Sequence, residues 1–524
     1  MGVGLSLMGK MILSVVVGGL VGLLFYLYNV VLLKPKILRS KLTKQGIRGP
    51  SPSILLGNIH EMKKIQLQVF SEQQNKAALS LSHNWPSIVF PFVEKWTNEY
   101  GPMFLYSTGN MQMLCVADIE MVKELSLCTS LSLGKPSYLT KERGPILGHG
   151  LISSSGLLWA HQRKIIAPEF YLDKVKGMVK LMVDSTTSLV GVWEKIIDAE
   201  GGTAEITVDV DLRSLAADII SRACFGSNYS KGQEIFSRLR SLQKLMSKGM
   251  VGVPGLRYLP TRSNREIWKL EKEINSVILK VVKLRLEASS EMDLLQMILQ
   301  VAKSNKADNA LTSQISQDKF IVDNCKSIYF AGHETSAITA SWVLLLLAAH
   351  PEWQDRARTE VLKICRNGLP DADMLPSLKI LTMVIQETLR LYPPVGFMPR
   401  EALQDIKFKD IVIPKGMGIR IPVAVLQQSP DLWGLDAHQF KPERFADGIS
   451  AACKTPQAYL PFGMGPRICA GQHFAIAELR VILSLILSKF WFSISPKYSH
   501  SPVYNLIVEP KYGVNLYVRK VGNL

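Results

Sequence analysis

Cys469 lies in a loop whose composition strongly limits what can surround its sulfur. The segment reads Phe462-Gly463-Met464-Gly465-Pro466-Arg467-Ile468-Cys469-Ala470-Gly471. Its glycines remove the side chains that would keep the backbone away from a flat ligand, and Pro466 stiffens the loop. Gly471 opens an apolar helical run, Gln472 to Lys489, whose N-terminal amides and positive end would stabilise a thiolate. A lone cysteine is usually a buried structural residue, but this spacing predicts that Cys469 is the ligand of a haem iron.

The order Phe-x-x-Gly-x-Arg-x-Cys-x-Gly resembles the haem-ligand loop of the cytochromes P450, a family in which a cysteine thiolate holds the iron. The resemblance implies a mainly α-helical fold with small β-sheets, the cytochrome P450 fold, and haem b with an axial Cys469 thiolate. Arg467, two residues before the sulfur, is placed to offer its guanidinium to a haem propionate. Phe462, Gly463 and Gly471 are the other haem contacts that we expect from the loop.

Two further segments are predicted to reach the haem propionates. Trp159 and Arg163 are four residues apart and would share one helix face. Such a pair is more often packing plus a solvated charge, but it resembles the C-helix motif of the P450 family, which implies a shared propionate contact. In the Pro-rich stretch from Tyr392 to Arg400, the same resemblance makes Arg400 a third propionate contact.

The segment from Phe320 to His350 reads as one long, mostly apolar helix that ends before Pro351. Its centre, Ala331-Gly332-His333-Glu334-Thr335-Ser336, matches the I-helix motif of the family. The small Ala331 and Gly332 would leave room for dioxygen. The Thr335 hydroxyl could hydrogen-bond the dioxygen, and Glu334 could relay protons from solvent. We therefore expect these four residues to be catalytic.

A buried charge network is predicted behind the cysteine loop. Glu387 and Arg390 lie three residues apart on one helix, where an exposed pair would be common and weak. In the P450 family this Glu-x-x-Arg pairs with the arginine of a downstream Pro-Glu-Arg-Phe, which here contains Arg444. The resemblance implies a structural network that locks the loop carrying Cys469.

The cavity residues expected by resemblance are largely apolar: Ile328, Val395, Phe397, Met398 and Val503. An apolar lining favours a bulky lipophilic substrate. The chain as a whole resembles plant P450s that oxidise gibberellins, related diterpenoids and pentacyclic triterpenoids, on the strength of Leu460 to Gly471 and Asn505 to Gly513. We expect hydroxylation of a pentacyclic triterpenoid or of a gibberellin or other diterpenoid acid.

The residues from Met11 to Leu33 are almost all apolar and long enough for one transmembrane helix, at roughly 20 residues per span. Six basic residues follow within Lys34 to Arg48 and only Lys10 precedes, so the positive-inside rule places the rest of the chain in the cytosol. The run is longer than a signal-peptide core, and no small-residue cleavage site precedes the basic cluster, which favours an uncleaved anchor. We expect a single-pass anchor at 1–33 in the endoplasmic reticulum membrane, a basic and Pro/Gly-rich linker at 34–58, and a haem domain at 59–524.

Cysteine content and charge exclude several other classes of protein. The seven cysteines include no Cys-x-x-Cys pair, which argues against a disulfide framework or a zinc site. The formal net charge of +17 fits contact with anionic lipid headgroups and with an acidic protein partner. Because this charge is spread along the chain without a nucleic-acid-binding motif, no nucleic-acid partner is expected.

The implied reaction inserts one oxygen atom from dioxygen into a carbon–hydrogen bond. No Gly-x-Gly-x-x-Gly fingerprint is present, so the electrons of NADPH are expected from a separate NADPH-cytochrome P450 reductase. Two alternatives remain open. A P450-fold isomerase or dehydratase would act without dioxygen or NADPH, and a non-enzymatic haem sensor or electron carrier would bind haem without catalysis.

Overall fold

The computed structural model describes residues 2–74, 81–226, 229–249, 251–287, 294–308, 316–365 and 369–522. The helices are α1 Gly2–Tyr28, α2 Lys34–Thr43, α3 Ile59–Gln74, α4 Pro86–Val89, α5 Pro91–Tyr100, α6 Ile119–Leu127, α7 Tyr138–Lys141, α8 Gly144–Leu147, α9 Gly156–Ile166, α10 Leu172–Ala199, α11 Val208–Phe225, α12 Tyr229–Ser247, α13 Arg262–Glu287, α14 Leu294–Asp308, α15 Gln317–Ala349, α16 Pro351–Ile364, α17 Lys379–Leu391, α18 Val423–Leu426, α19 Pro430–Trp433 and α20 Gln472–Lys489. The strands are β1 Met103–Thr108, β2 Met111–Val116, β3 Leu133–Gly134, β4 Thr203–Thr207, β5 Met398–Ala402, β6 Ile406–Phe408, β7 Ile411–Ile413, β8 Gly418–Ile421, β9 Phe490–Ile494, β10 Pro502–Tyr504, β11 Val508–Pro510 and β12 Asn515–Lys520. The predicted class, mainly helical with small sheets, is confirmed.

The long helix α15 is the axis of the helical core. It is apolar around most of its circumference and is buried along nearly its whole length, as expected for a helix enclosed by others. The side chain of Ser316 caps its first turn by accepting a hydrogen bond from the Lys319 amide at 3.4 Å. Helices α11, α17 and α20 pack directly against it. Any group carried on the middle of α15 is therefore held inside the protein.

The largest sheet forms the opposite side of the molecule. Its strand order is β1-β2-β8-β5-β3, with β2 and β8 parallel and the remaining pairs antiparallel. A separate two-stranded sheet joins β10 to β11. Strand β5 follows directly from the Pro-rich stretch after α17, so the sheet carries both Phe397 and Arg400 towards the centre of the molecule.

The N-terminal segment is one nearly continuous helix. Residues Gly9–Thr43 are long and apolar enough to cross a membrane, and the side chains of the apolar part are exposed. A five-residue π-helical turn, Asn29–Leu33, precedes Pro35, which has no amide to donate to the helix. The predicted linker packs onto the body of the protein: Leu42 is fully buried, and Arg39 Nη2 donates to the Gly49 carbonyl at 2.8 Å. The predicted boundaries at 33 and 58 stay predictions.

Candidate active site

The loop that carries Cys469 is a tight backbone turn ahead of α20. Gly463 and Gly465 have φ angles of 76° and 63°, in the left-handed region that favours glycine. A Cβ on Gly465 would also collide with the backbone carbonyl of Ser126 in α6. The Cys469 amide donates to the Phe462 carbonyl at 2.8 Å and so closes the loop. These constraints fix the direction in which the Cys469 side chain leaves the backbone.

The Cys469 thiol faces an internal space. The side chain is exposed, yet desolvation by the surrounding protein raises its pKa, while the Gly471 amide and the Arg163 guanidinium act in the opposite direction. A group that touches open space but is desolvated lies at a cavity inside the protein rather than on its outer surface. The Gly471 amide and the start of α20 are placed to stabilise a thiolate, as the sequence predicts.

Three cationic side chains converge beside this space. Arg467 stacks on the Trp159 ring, with 4.1 Å from its Cζ to the ring centroid, and donates to the Ser154 carbonyl at 3.1 Å. Its other terminal nitrogen is buried without a hydrogen-bond partner. Burial and the charges of Arg400 and Arg163 lower the pKa of Arg467 to about 9. The guanidinium is thus held in a place that disfavours its own charge.

Arg400 and Lys135 complete this cluster. Arg400 is buried, its only hydrogen bonds are to its neighbours Pro399 and Met398, and burial lowers its pKa to about 10. Burial, together with the charges of Arg400 and Arg467, lowers the pKa of Lys135 strongly. Within the described residues, none of these three cations forms an ion pair with a carboxylate. Because buried charges need partners, the cluster fits the two propionates of a haem, and the donor set agrees with the thiolate beside it.

Arg163 reaches the cysteine loop itself. Its Nη1 donates to the Ile468 carbonyl at 2.6 Å, one residue before Cys469. Trp159 lies one helical turn earlier on α9 and holds Arg467 instead. The predicted pair therefore shares one helix face, and its members contact two different parts of the loop. Their contact with a propionate stays a prediction.

The centre of α15 shows different environments for its four predicted catalytic residues. The Thr335 hydroxyl donates to the Ala331 carbonyl at 2.5 Å, so its oxygen remains available as an acceptor. A Cβ on Gly332 would lie 2.6 Å from the Ile220 side chain, which shows that this glycine allows close packing of α11 on α15. The prediction that Ala331 and Gly332 leave room for dioxygen stays a prediction, and the contacts give Gly332 a packing role.

Glu334 is the centre of a buried ion network. Its Oε2 lies 3.4 Å from Arg213 Nε and 3.3 Å from Arg240 Nη1, and its Oε1 lies 3.5 Å from His333 Nδ1. Both arginines also pair with Glu509 of β11. Despite the opposing effect of burial, these charges and His333 lower the pKa of Glu334. The carboxylate is ionised and clamped between two helices and the β10–β11 turn.

The network behind the loop has the predicted members and one more. Arg390 binds Glu387 in a bidentate pair, at 2.7 and 2.8 Å, and Arg444 Nε lies 3.5 Å from the same carboxylate. Gln427 is fully buried beside this network. Its amide nitrogen donates to the Arg390 carbonyl at 3.0 Å, and its oxygen accepts from the Leu460 amide at 2.7 Å. Gln427 thus ties the charge network to the start of the cysteine loop.

Most of the predicted substrate contacts line the interior. Ile328 on α15 and Phe397 are buried, and the Phe397 ring centroid lies 4.6 Å from that of Phe90. Val503 is half-buried in β10. Val395 lies just before Phe397 and is 40% exposed. Their contact with a substrate stays a prediction.

Met398 belongs to a different part of the molecule. Its sulfur lies 3.4 Å from Arg400 Nη2, and a Cβ on Gly463 would approach it to 3.6 Å. It packs in a hydrophobic cluster with Leu460 and Met464, whereas Phe397 belongs to the main core. These contacts place Met398 against the cysteine loop and give its predicted substrate contact no support.

Four residues of this region were missed by sequence reasoning: Lys135, Arg213, Arg240 and Gln427. Each lies more than 30 positions from the group that it contacts. Local spacing carries no signal for these contacts, and Lys135 lies in a Gly-Lys-Pro segment directly after β3.

Comparison with known proteins places these features in a family. The family model described as Cytochrome P450 matches residues 78–517. Among curated proteins, the chain is 52% identical to Cytochrome P450 714C2 of Oryza sativa subsp. japonica, with 95% of both chains covered. It is 46% identical to Cytochrome P450 714B3 of Zea mays, covering 100% of this chain and 98% of the relative. It is also 45% identical to Cytochrome P450 714A2 of Arabidopsis thaliana, covering 95% and 96%.

Solved structures share the fold. A retinoic acid-bound cyanobacterial CYP120A1 superposes with a TM-score of 0.70 at 24% identity, covering 82% of this chain and 94% of the other. The haem domain of cytochrome P450DA gives a TM-score of 0.69 at 23% identity, covering 83% and 93%.

Proposed function

Because this chain belongs to the cytochrome P450 family and is a P450 monooxygenase, we propose that it hydroxylates a bulky lipophilic terpenoid with dioxygen and with electrons of NADPH delivered by a separate reductase. The substrate class is a pentacyclic triterpenoid or a gibberellin or other diterpenoid acid. The observation that supports this best is the Cys469 thiol at an internal space whose rim carries unpaired cations and whose other lining is apolar.

Haem held by a cysteine thiolate supplies the activation of dioxygen for insertion into a carbon–hydrogen bond. In this chain Cys469 is the proposed ligand, and the Gly471 amide lowers the cost of its negative charge. Arg467, Arg400 and Lys135 are the proposed propionate partners. Phe462 and Gly463 shape the loop through which the sulfur reaches the site.

Thr335 is the proposed hydrogen-bonding residue at the dioxygen site. Its hydroxyl can exchange its bond to the Ala331 carbonyl for one to a ligand by rotating about χ1. Glu334 is buried and held by two arginines, so its proposed part in proton delivery requires a change in these ion pairs or a route through its Oε1, which faces the His333 ring. The same clamp positions the β10–β11 turn beside the substrate residues.

The proposed redox partner is a membrane-bound NADPH-cytochrome P450 reductase. The net charge of +17 favours an acidic partner, and electrostatic complementarity raises the rate of encounter. The apolar helix Gly9–Thr43, followed by basic residues, supports a single-pass location in the endoplasmic reticulum membrane with the catalytic domain in the cytosol.

Mass spectrometry of membranes that contain this protein and a plant reductase tests the proposal. The membranes are incubated with gibberellins, kaurane acids, and oleanane or ursane triterpenoids, with and without NADPH. A product that is one oxygen atom heavier and forms only with NADPH is the expected result. Conversion without NADPH would support the isomerase instead, and no turnover despite normal haem binding would overturn the terpenoid assignment.

A further inference from the structure

The largest sheet carries a second arginine, the partly buried Arg420 in β8. In the antiparallel pairing of β5 with β8, Arg400 lies opposite Ile419 and Pro399 lies opposite Arg420. Cross-strand partners share a face of the sheet, and consecutive residues lie on opposite faces. Arg400 and Arg420 therefore point to opposite sides. Arg420 is not part of the cation cluster assigned to the haem propionates.

The guanidinium of Arg420 is surrounded by aromatic side chains. Its Nη1 donates to the Tyr106 hydroxyl at 3.3 Å, and its Cζ lies 5.4 Å above the Phe397 ring. Tyr138 and Tyr504 are its other neighbours. Its Nε is buried without a hydrogen-bond partner, and within the described part of the chain no carboxylate pairs with it.

Desolvation acts against the charge of Arg420, whereas the surrounding tyrosines, including a hydrogen bond with Tyr138, raise its pKa, and no carboxylate among the described residues balances the charge. An arginine stays protonated in proteins, whereas burial raises the pKa of Tyr106 to about 12 and also raises that of Tyr504. The phenols are therefore neutral and offer hydrogen bonds without charge. A second cation, Arg143, lies near the same tyrosines and adds to the positive potential. A buried charge of this kind is costly unless an anion comes to it.

The group opens onto the interior space where substrate is expected. Arg420 and Tyr504 keep part of their surface accessible, although desolvation is the largest influence on the pKa of each. Tyr504 follows the predicted substrate residue Val503 in β10, and its ring centroid lies 6.3 Å from that of Phe397, another predicted substrate residue. The unpaired cation thus borders the apolar lining.

We propose that Arg420, with the hydroxyls of Tyr138 and Tyr504, is the subsite for the carboxylate of a lipophilic acid substrate, an inference that rests on the proposed function. A guanidinium fork binds a carboxylate with two charge-assisted hydrogen bonds, and the phenols can donate further ones. The hydrocarbon part of the substrate then lies against Phe397. The subsite selects terpenoid acids over neutral terpenoids or esters of the same skeleton.

Ligand-induced spectral shifts of the haem-loaded, full-length protein measure this selectivity. The probes are a kaurane-type monocarboxylic acid, an oleanane-type monocarboxylic acid and the methyl ester of each. The wild type is expected to bind an acid roughly 10- to 100-fold more tightly than its ester, the range for a charged hydrogen-bonded pair. Arg420→Gln should abolish this preference by weakening acid binding while leaving ester binding unchanged.

Tyr106→Phe is the matched control, because it removes one hydrogen bond of Arg420 and keeps its charge. The acid preference should survive in this variant. If Arg420→Gln does not take up haem, the pair Tyr138→Phe and Tyr504→Phe provides the test, with a several-fold loss of acid affinity and no loss of ester affinity.

Equal binding of acid and ester by the wild type, binding of neither acid, or an undiminished preference in Arg420→Gln or in the Tyr138→Phe and Tyr504→Phe variants would overturn the inference. Failure of the proposed hydroxylation would give a different experimental result from failure of the subsite. Arg420-dependent acid binding without any NADPH-dependent product would overturn the proposed hydroxylation and leave the subsite intact. Equal oxygenation of acid and ester at low concentration would overturn the subsite and leave the hydroxylation.

Discussion

At the scale of single residues, the strongest constraint is the sulfur of Cys469. The backbone directs this sulfur into an interior space. Among the described residues, no other cysteine lies in a glycine-rich loop that leads into a helix. Replacement by serine should keep the fold, because the change is small and the thiol has no packing role in the core. We expect Cys469→Ser to lose the red-shifted absorption of the ferrous-CO complex. Cys453→Ser, which alters a cysteine outside this loop, is the control and should keep the band.

A second residue, Glu478 of α20, should make stability depend on pH. It is fully buried, and burial raises its pKa to about 8 although a hydrogen bond with Ser336 acts in the opposite direction. The unfolded value is about 4.3. Between these values the folded state binds the extra proton, so the free energy of unfolding falls as pH rises from about 4.3 to about 8.

Glu478→Gln should remove this decline, because the amide is neutral at every pH and similar in shape. Its effect should grow with pH and reach on the order of a few kcal/mol at pH 8. Denaturant unfolding at pH 5 and pH 8 measures it. If the free energy of unfolding fell equally between pH 5 and pH 8 in the wild type and in the variant, the Glu478 carboxyl would already be ionised at pH 5.

At the scale of elements, the sequence predicts local structure much better than it predicts partners. The helix expected from Phe320 to His350 is observed as Gln317–Ala349, and the one expected from Gln472 to Lys489 has the predicted ends. Both have long apolar runs and clear stop signals, which are local properties of the chain. Both ends of the second helix and the C-terminal end of the first, to within one residue, therefore follow from the sequence, whereas the first helix begins three residues earlier than expected.

Partnerships across the fold do not follow from local patterns. Glu334 was expected to relay protons from solvent, and no local pattern indicates that α11 and α12 bring Arg213 and Arg240 against it. The resemblance grouped Met398 with Phe397 as substrate contacts, yet extended backbone turns adjacent residues to opposite faces, and the two make different contacts. These contacts depend on helix packing and strand register, and spacing in the sequence encodes neither.

Gln427 shows how such a contact between elements holds the site. Gln427→Leu would leave the buried Leu460 amide and the Arg390 carbonyl without partners, at a cost of roughly 2–5 kcal/mol. Because Leu460 begins the cysteine loop, we expect part of the ferrous-CO band to move to the wavelength of a protein that has lost its thiolate. Loss of stability alone, without this shift, would contradict a positioning role.

The neighbouring Gln428 offers the matched control. It is also buried, and its amide donates to the Leu391 carbonyl at 2.6 Å, but it makes no hydrogen bond to the loop. Gln428→Leu should lower the free energy of unfolding without changing the spectrum of the ferrous-CO complex.

At the scale of the whole molecule, several ionisable groups of the haem domain share one unusual environment. Cys469, Lys135, Arg420 and Tyr504 all keep accessible surface although the protein desolvates them. Arg400 and Arg420 lie on opposite faces of one sheet, so the proposed propionate contact and the proposed carboxylate subsite use different residues of adjacent strands. The two proposals thus assign two separate anion-binding roles to one sheet.

Membrane attachment and folding stability depend on different parts of the N-terminal segment. The apolar side chains from Met11 to Tyr28 are exposed, so deletion of residues 1–33 removes none of the core. We expect this deletion to shift the protein from the membrane pellet towards the soluble fraction while haem content stays unchanged.

Deletion of residues 1–43 also removes buried Leu42 and the Arg39 bonds to Gly49 and Pro50. By the usual cost of losing a buried leucine, it should lower the free energy of unfolding by roughly 2–5 kcal/mol. Equal stability of the two truncated proteins would show that the helix from Lys34 to Thr43 belongs to the anchor and not to the haem domain.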